Sequence, residues 1–412
     1  MGISVLVATL GTLTGVLLAR SLGLAGRGEV AALITWTGFI LSSSTLGLED
    51  ALTYRAAAYL SNGSVRPIEI VKWSLSLGVI GGGAAGAAVL LLPIEADHLP
   101  VLAVLTALGG SVLVVHNCLL GVAMSFQRFD TWNRARIIIP VVYAVSLFVL
   151  VSLYGGSTLI VVISLSLSWL VATIFTASSI RAYLRVNVFG SKPLARRIEM
   201  PSRLRETLAY GVRSHLARMA GYANERLDQA VLVFLVPMTT LGEYAVAATV
   251  ATMAPSSLYQ AQARLVFGRL CQTQRERALT ADDAWVDLRK VFIVAIPLQT
   301  AIALASPIAV PALFGQNFTR AGIVASFLAL ATIPNAVSRV LQSWLKAAGQ
   351  VGMASRIELV SVFVGLAVLL PTARAVGIWG AVVASWVTYL FSAIIHVIVI
   401  RRQTQRVMPA AR

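Results

Sequence analysis

Cysteine is nearly absent from this sequence: Cys118 and Cys271 are the only two in 412 residues. One lies in an apolar run and the other in a basic, polar stretch, so they offer neither a disulfide framework nor a metal-ligand spacing. Histidine is as sparse. His98, His116, His215 and His396 fall in four separate segments, which argues against a metal site. Charge is scarce too, with Asp, Glu, Lys and Arg making up 12% of the chain, where a soluble domain carries about 25%. No nucleotide-binding motif, no nucleophile–base arrangement and no RNA- or DNA-binding motif is found, so direct ATP use and a nucleic-acid partner are not expected. Gly81-Gly82-Gly83-Ala84-Ala85-Gly86 resembles a phosphate loop only in its glycines. It has no preceding strand and no following Lys-Ser/Thr, and small residues inside an apolar run serve close helix packing.

What is present is apolar. Hydrophobic residues make up 58% of the chain, and the mean hydropathy is +0.82. A membrane span needs about 20 helical residues. Runs of that kind fall at 3–20, 30–48, 70–92, 98–123, 136–154, 157–180, 207–236, 243–263, 290–311, 320–345, 356–371 and 376–400. The expected fold class is therefore all-α: a polytopic membrane protein of twelve transmembrane helices. The N-terminus lacks a basic region before its apolar run, so it reads as a first span rather than a cleavable signal.

The basic residues set the orientation. With both termini cytoplasmic, the inside segments hold 25 of the 33 Lys and Arg, the densest being 181–206 with seven. The outside turns hold Arg20, Arg27, Arg320 and Arg374, and Arg213, Arg218, Arg226 and Arg339 fall within spans. Inverting the protein or dropping one helix would destroy that asymmetry. The excess of basic over acidic residues, 33 against 17, thus reflects membrane anchoring and contact with membrane lipids.

The basic interval also divides the chain. Residues 1–181 form an N-terminal lobe of six helices, 182–206 a cytoplasmic linker, 207–400 a second lobe of six, and 401–412 a cytoplasmic tail. The halves echo one another: Gly28-Glu29-Val30-Ala31-Ala32 opens the second span and Gly242-Glu243-Tyr244-Ala245-Val246-Ala247 the eighth. Asn133-Arg134-Ala135-Arg136-Ile137 precedes the fifth span, and Ala354-Ser355-Arg356-Ile357 the eleventh. Two parallel repeats about an axis along the membrane normal belong to transporters that rock two bundles about a central site.

The seventh span, 207–236, is the unusual one. Its second half is apolar, but its first carries Arg213, His215, Arg218, Asn224, Glu225, Arg226, Asp228 and Gln229. At helical spacing these make a broad polar band. A charge at the bilayer centre costs about 2.5–3.5 kcal/mol on insertion scales, so this band must face protein or a wet cavity. Arginine carries a planar fork of donors that matches phosphate. Arg213, Arg218, Arg226 and Arg339 are accordingly candidates to bind an anionic substrate, against the plainer reading in which each pairs locally or snorkels to the interface. Glu225 and Asp228 are the carboxylates placed well inside a span. They, with His215, are candidates for proton or cation coupling, or for a salt-bridge lock with Arg218 or Arg226.

Several stretches resemble a known family. Leu17-Leu18-Ala19-Arg20-Ser21-Leu22-Gly23-Leu24-Ala25-Gly26-Arg27-Gly28-Glu29 and Ser43-Ser44-Thr45-Leu46-Gly47-Leu48-Glu49-Asp50 are similar to the first loops of oligosaccharide flippases. Glu225-Arg226-Leu227-Asp228-Gln229 with Leu241-Gly242-Glu243-Tyr244, and Leu313-Phe314-Gly315-Gln316-Asn317-Phe318 with Lys346-Ala347-Ala348-Gly349-Gln350, resemble later regions of the same proteins. These are the polysaccharide transporters, including O-antigen flippases, of the multidrug/oligosaccharidyl-lipid/polysaccharide exporter superfamily. The resemblance implies a bacterial inner-membrane protein that moves undecaprenyl-pyrophosphate-linked oligosaccharide to the outer leaflet by alternating access. It also implies coupling to a proton or sodium gradient, no cofactor, and a glycan polymerase or ligase as partner. A drug/cation antiporter of the same superfamily is the alternative, and four in-span arginines against two carboxylates disfavour it. A lipid II flippase ranks lower, because those relatives carry two further C-terminal helices. So does a membrane polymerase or ligase, since every outside turn is short and Glu95-Ala96-Asp97-His98 holds the one carboxylate pair there. The substrate cavity is expected among the first, second, seventh and eighth spans.

Overall fold

The structure, a computed structural model, describes residues 2–61, 67–95, 98–187, 215, 219, 222–224, 226–277 and 279–407. Among them every element is helical. The first, α1, runs from Gly2 to Ser44, 43 residues. At about 1.5 Å per residue that is roughly twice the thickness of a bilayer's hydrocarbon core. It therefore contains both of the first two expected spans. Gly23 divides them with φ 67° and ψ −165°, a conformation glycine adopts without the steric penalty of a Cβ. The turn expected over residues 20–30 is thus compressed to one kinked glycine.

The chain forms two compact units. One consists of Ala32–Met219. It holds the end of α1, α2 (Leu48–Ser61), α3 (Pro67–Val89), α4 (Leu99–Ser125), α5 (Phe129–Tyr154) and α6 (Thr158–Asn187). α4 is its centre, packed on α2, α3 and α6, with α5 against α6. Small residues make the α3–α4 seam possible. A Cβ on Gly82 would run into the Ala107 carbonyl and the Ser111 hydroxyl, and one on Gly86 would come within 2.6 Å of the Ala103 carbonyl. The glycine run at 81–86 is thus a helix-packing surface.

The other unit joins Met1–Ala31 to Ala220–Arg412. The first 31 residues therefore cluster with the second half of the chain. This unit holds α7 (helical at 222–224 and 226–232), α8 (Met238–Glu276), α9 (Ala281–Phe314) and a short 3-10 turn, Gln316–Phe318. It continues with α10 (Thr319–Ala347), α11 (Val351–Val376) and α12 (Ile378–Val407). α10 packs on α8, α9 and α12, and 61% of its apolar stretch is buried, against 11% for α5. α5 instead shows Val145, Phe148 and Leu153 outward, as a lipid-facing helix would.

In the same unit the two echoed motifs meet. A Cβ on Gly28 would strike the Met238 carbonyl, four residues before Gly242, and one on Gly242 would strike the Leu24 carbonyl, four residues before Gly28. The contact reads the same from either side, as a two-fold relation between equivalent repeat positions requires.

Nine helices among the described residues are long and apolar enough to cross a membrane. α1 counts once there although it holds two spans. α8 is too polar to count, and α7 is described only in part.

Candidate functional site

α7 is where the polar band and the core coincide. Ala230, Leu232 and Val233 are buried and pin its apolar end. Within one turn, Arg226, Asp228 and Gln229 line a cavity of about 100 Å³. α8 contributes Tyr244, Thr249 and Thr252, and α10 contributes Thr332, Asn335 and Arg339. Ser385 and Tyr389 of α12 complete it. The spacing explains the convergence: positions 332, 335 and 339 form one stripe of α10, and 385 and 389 are one turn apart. The cavity is smaller than the ~150 Å³ void that accepts benzene. It has room for a compact anionic head or several waters, and none for a sugar chain.

Asp228 is the carboxylate of this cavity. It accepts hydrogen bonds from the Tyr244 hydroxyl and, at 2.7 Å, from the Gln229 backbone N–H. A hydrogen bond to a charged group contributes about 1.5–3 kcal/mol, so two of them offset an insertion cost of about 2.5–3.5 kcal/mol. Arg226 Nη1 donates to Gln229 Oε1 at 3.4 Å.

A second, smaller void of about 30 Å³ lies between α7, α11 and α12. Asn224, Asp228, Ser385, Thr388 and Tyr389 supply its polar wall. Gly365 keeps it open, since a Cβ there would come within 2.6 Å of the Thr388 hydroxyl. Asp228, Ser385 and Tyr389 line both voids.

Three expected site residues, Arg226, Asp228 and Arg339, thus share one cavity within one unit. Arg213, Arg218 and Glu225 lie outside the described residues. His215 is buried, in the unit of Ala32–Met219. Of the four spans expected to line the cavity, the seventh and eighth do, and α10 and α12 supply the rest. Two residues escaped the sequence reading. Glu358, two residues into an apolar run, was not singled out; it lies two turns inside α11 and accepts from Asn224 of α7 and Gln342 of α10. Arg27, assigned to an outside turn, is 9% exposed and reaches the cavity-wall residue Thr249 at 3.4 Å. Arg20 stays at the exposed end of its helix half, donating to the carbonyls of Leu313 and Ala312 at 2.7 and 2.9 Å.

A chain whose described elements are all helical, with long apolar helices and a polar cavity inside one bundle, has the architecture of a membrane transporter. Solved structures agree. An inward-facing multidrug resistance MATE family transporter of the MOP superfamily superposes with a TM-score of 0.74, at 14% identity over 98% of this chain and 96% of its own. The lipid II flippase MurJ, inward closed, superposes at 0.66, with 12% identity over 96% of this chain and 86% of its own. A MOP superfamily transporter from Pyrococcus furiosus, described as having a binding pocket of reversed polarity, gives 0.58 at 15% identity over 98% and 93%. At such identities the likeness is one of fold, that of multi-helix membrane transporters. No curated protein sequence matches the chain. The chain belongs to the polysaccharide biosynthesis protein family, whose model matches residues 1–273.

Proposed function

We propose that this protein is a flippase that carries undecaprenyl-pyrophosphate-linked oligosaccharide across the bacterial inner membrane by alternating access, driven by a cation gradient. The observation that carries the reading is the meeting of Arg226 and Arg339 in one intramembrane cavity, in a chain of a polysaccharide biosynthesis family. Their forked donors suit the diphosphate of the carrier lipid. A cavity of about 100 Å³ takes that charged head while the saccharide stays outside it.

Coupling belongs to the smaller void. Asn224, Asp228, Ser385, Thr388 and Tyr389 present oxygens around about 30 Å³, the hard-ligand, single-ion setting that suits sodium. Asp228 stands between the two voids, so a cation that draws it from Tyr244 changes the wall of the arginine cavity. The lobes on either side of residues 182–206 would move as two six-helix bundles, with both termini in the cytoplasm and a glycan polymerase or ligase acting on the product.

Depletion of the protein in cells tests the function. The reading expects lipid-linked glycan to accumulate out of reach of an externally added glycan-labelling reagent. Normal glycan pools with new sensitivity to cationic drugs would overturn it in favour of an antiporter. Glycan that reaches the outside unpolymerised would point to an enzyme.

A further inference from the structure

The cation reading depends on which atom of Asn224 faces Asp228, and a chain of hydrogen bonds across three helices settles that choice. Lys346, near the end of α10, donates from Nζ to Gln342 Oε1 at 3.1 Å. An ammonium only donates, so the Gln342 amide turns its oxygen toward Lys346 and its Nε2 toward α11. That Nε2 donates to Glu358 Oε1 at 2.9 Å. The other carboxylate oxygen, Oε2, accepts from Asn224 Nδ2, which also reaches the Glu358 backbone carbonyl at 3.3 Å. Both partners of that amide group are acceptors, so only its NH₂ can face them. Asn224 Oδ1 is thereby turned away from Glu358. It is buried, accepts no hydrogen bond among the described residues, and belongs to a residue lining the void beside Asp228. A buried amide oxygen with no donor is a rare and costly arrangement, and a cation ligand is what such an oxygen suits.

We infer that Glu358 is the positioning residue of the cation site: it orients Asn224 so that Oδ1, and not the NH₂ group, is presented beside Asp228, and Lys346 and Gln342 fix the direction of the relay. This rests on the sodium reading of the small void. The carboxylate does not touch the ion; it decides whether the void meets an acceptor or a donor. Groups that orient ion ligands typically change affinity about 10–100-fold when lost.

Glu358→Gln is the informative change. Gln342 still finds an acceptor in the new amide oxygen, but the new NH₂ now faces Asn224. Asn224 then flips to accept, and its own NH₂ enters the void. Asn224→Asp added to Glu358→Gln restores oxygens on both sides at once. The measurement is radiolabelled sodium binding to the purified full-length protein in nanodiscs. Wild type binds, Asp228→Asn does not, Glu358→Gln binds at least about tenfold more weakly, and Glu358→Gln/Asn224→Asp recovers to within about threefold of wild type. Lys346→Gln, at the exposed start of the relay, loses the fixed direction and weakens binding by a few-fold without touching the buried core. Recovery in the double variant is something a merely structural role for Glu358 would not give. If wild type and Asp228→Asn bind sodium alike, or neither binds, the sodium reading falls and the inference with it. If Asp228→Asn loses binding while Glu358→Gln and Lys346→Gln match wild type, the site stands and the positioning role is overturned. If the double variant stays as weak as Glu358→Gln, the role is likewise overturned.

Discussion

Arg226, Asp228 and Arg339 meet in one cavity although the two arginines lie 113 positions apart in the sequence. In the proposed function the arginines serve substrate and the carboxylate serves the ion, and this division gives separable expectations. Arg339→Ala removes a forked donor from the cavity wall. It should lower translocation by at least about tenfold, the equivalent of one charge-assisted hydrogen bond, with membrane abundance and sodium binding unchanged. Arg339→Lys keeps the charge but loses the fork, so it should fall between Ala and wild type. Equal loss of protein from the membrane would instead make Arg339 a structural bridge between helices. Tyr244→Phe leaves Asp228 with the Gln229 backbone donor alone. It should tighten sodium binding, because the ion no longer displaces a hydroxyl, and binding measured against wild type checks the sign. Which of these residues mattered was partly legible in advance. A carboxylate or arginine in the middle of an apolar run announces itself by its insertion cost, and that pointed to Arg226, Asp228 and Arg339. Glu358 gave no such signal, because two residues from the edge of a run a charge is as plausibly at the interface. Its partners come from α7 and α10, a relation that a one-dimensional reading does not contain.

Packing between elements is set by small residues, and two neighbouring glycines of α3 make opposite predictions. Gly82 faces α4, and any Cβ there meets the Ala107 carbonyl and Ser111. Gly82→Val should therefore cost about 1–3 kcal/mol as an overpacked seam, seen as a lower Tm of the purified protein. Gly83 has nothing within 4 Å of a built Cβ. Gly83→Ala should stabilise by up to about 1 kcal/mol through helix propensity alone, and raise Tm. A drop in Tm for both would mean that the α3–α4 seam is not packed as described. At this scale the twelve apolar runs were readable from hydropathy, and their ends were not. Residues 20–30 carry Arg20, Arg27 and three glycines, a composition that reads as a turn. Only Gly23 departs from helix there, and Arg27 is drawn into the protein toward Thr249. Loop composition and helix continuity are compatible when a single glycine absorbs the bend. The echo of Gly28-Glu29 and Gly242-Glu243 was a short match on paper. It gains weight because Gly28 and Gly242 touch through the mutually equivalent carbonyls of Met238 and Leu24.

On the scale of the whole molecule, the basic residues place the loops, and one native side chain can report the result. Cys118 is buried and Cys271 is partly accessible. Cys271 lies in the stretch 264–290, which the charge distribution leads one to expect in the cytoplasm with both termini. A membrane-impermeant maleimide should leave Cys271 unlabelled in intact cells and label it after permeabilisation. Labelling in intact cells would invert the topology. The helical architecture was legible because hydropathy is summed over hundreds of residues. The direction and driving force of transport are not, because in the proposed function they depend on a few oxygens and arginines in two small voids. In the proposed function these voids move a lipid-linked glycan at the expense of a sodium gradient. The most direct measurement is translocation of a polyprenyl-diphosphate oligosaccharide in sealed vesicles holding the purified protein. Lipid flipped is read by its exposure to an enzyme confined to one side. The account predicts fast flipping with an imposed sodium gradient, slow flipping without it, and slow flipping for Arg339→Ala under either condition. Flipping at the same rate with and without the gradient would contradict the coupling, and none by wild type under any gradient would contradict the function itself.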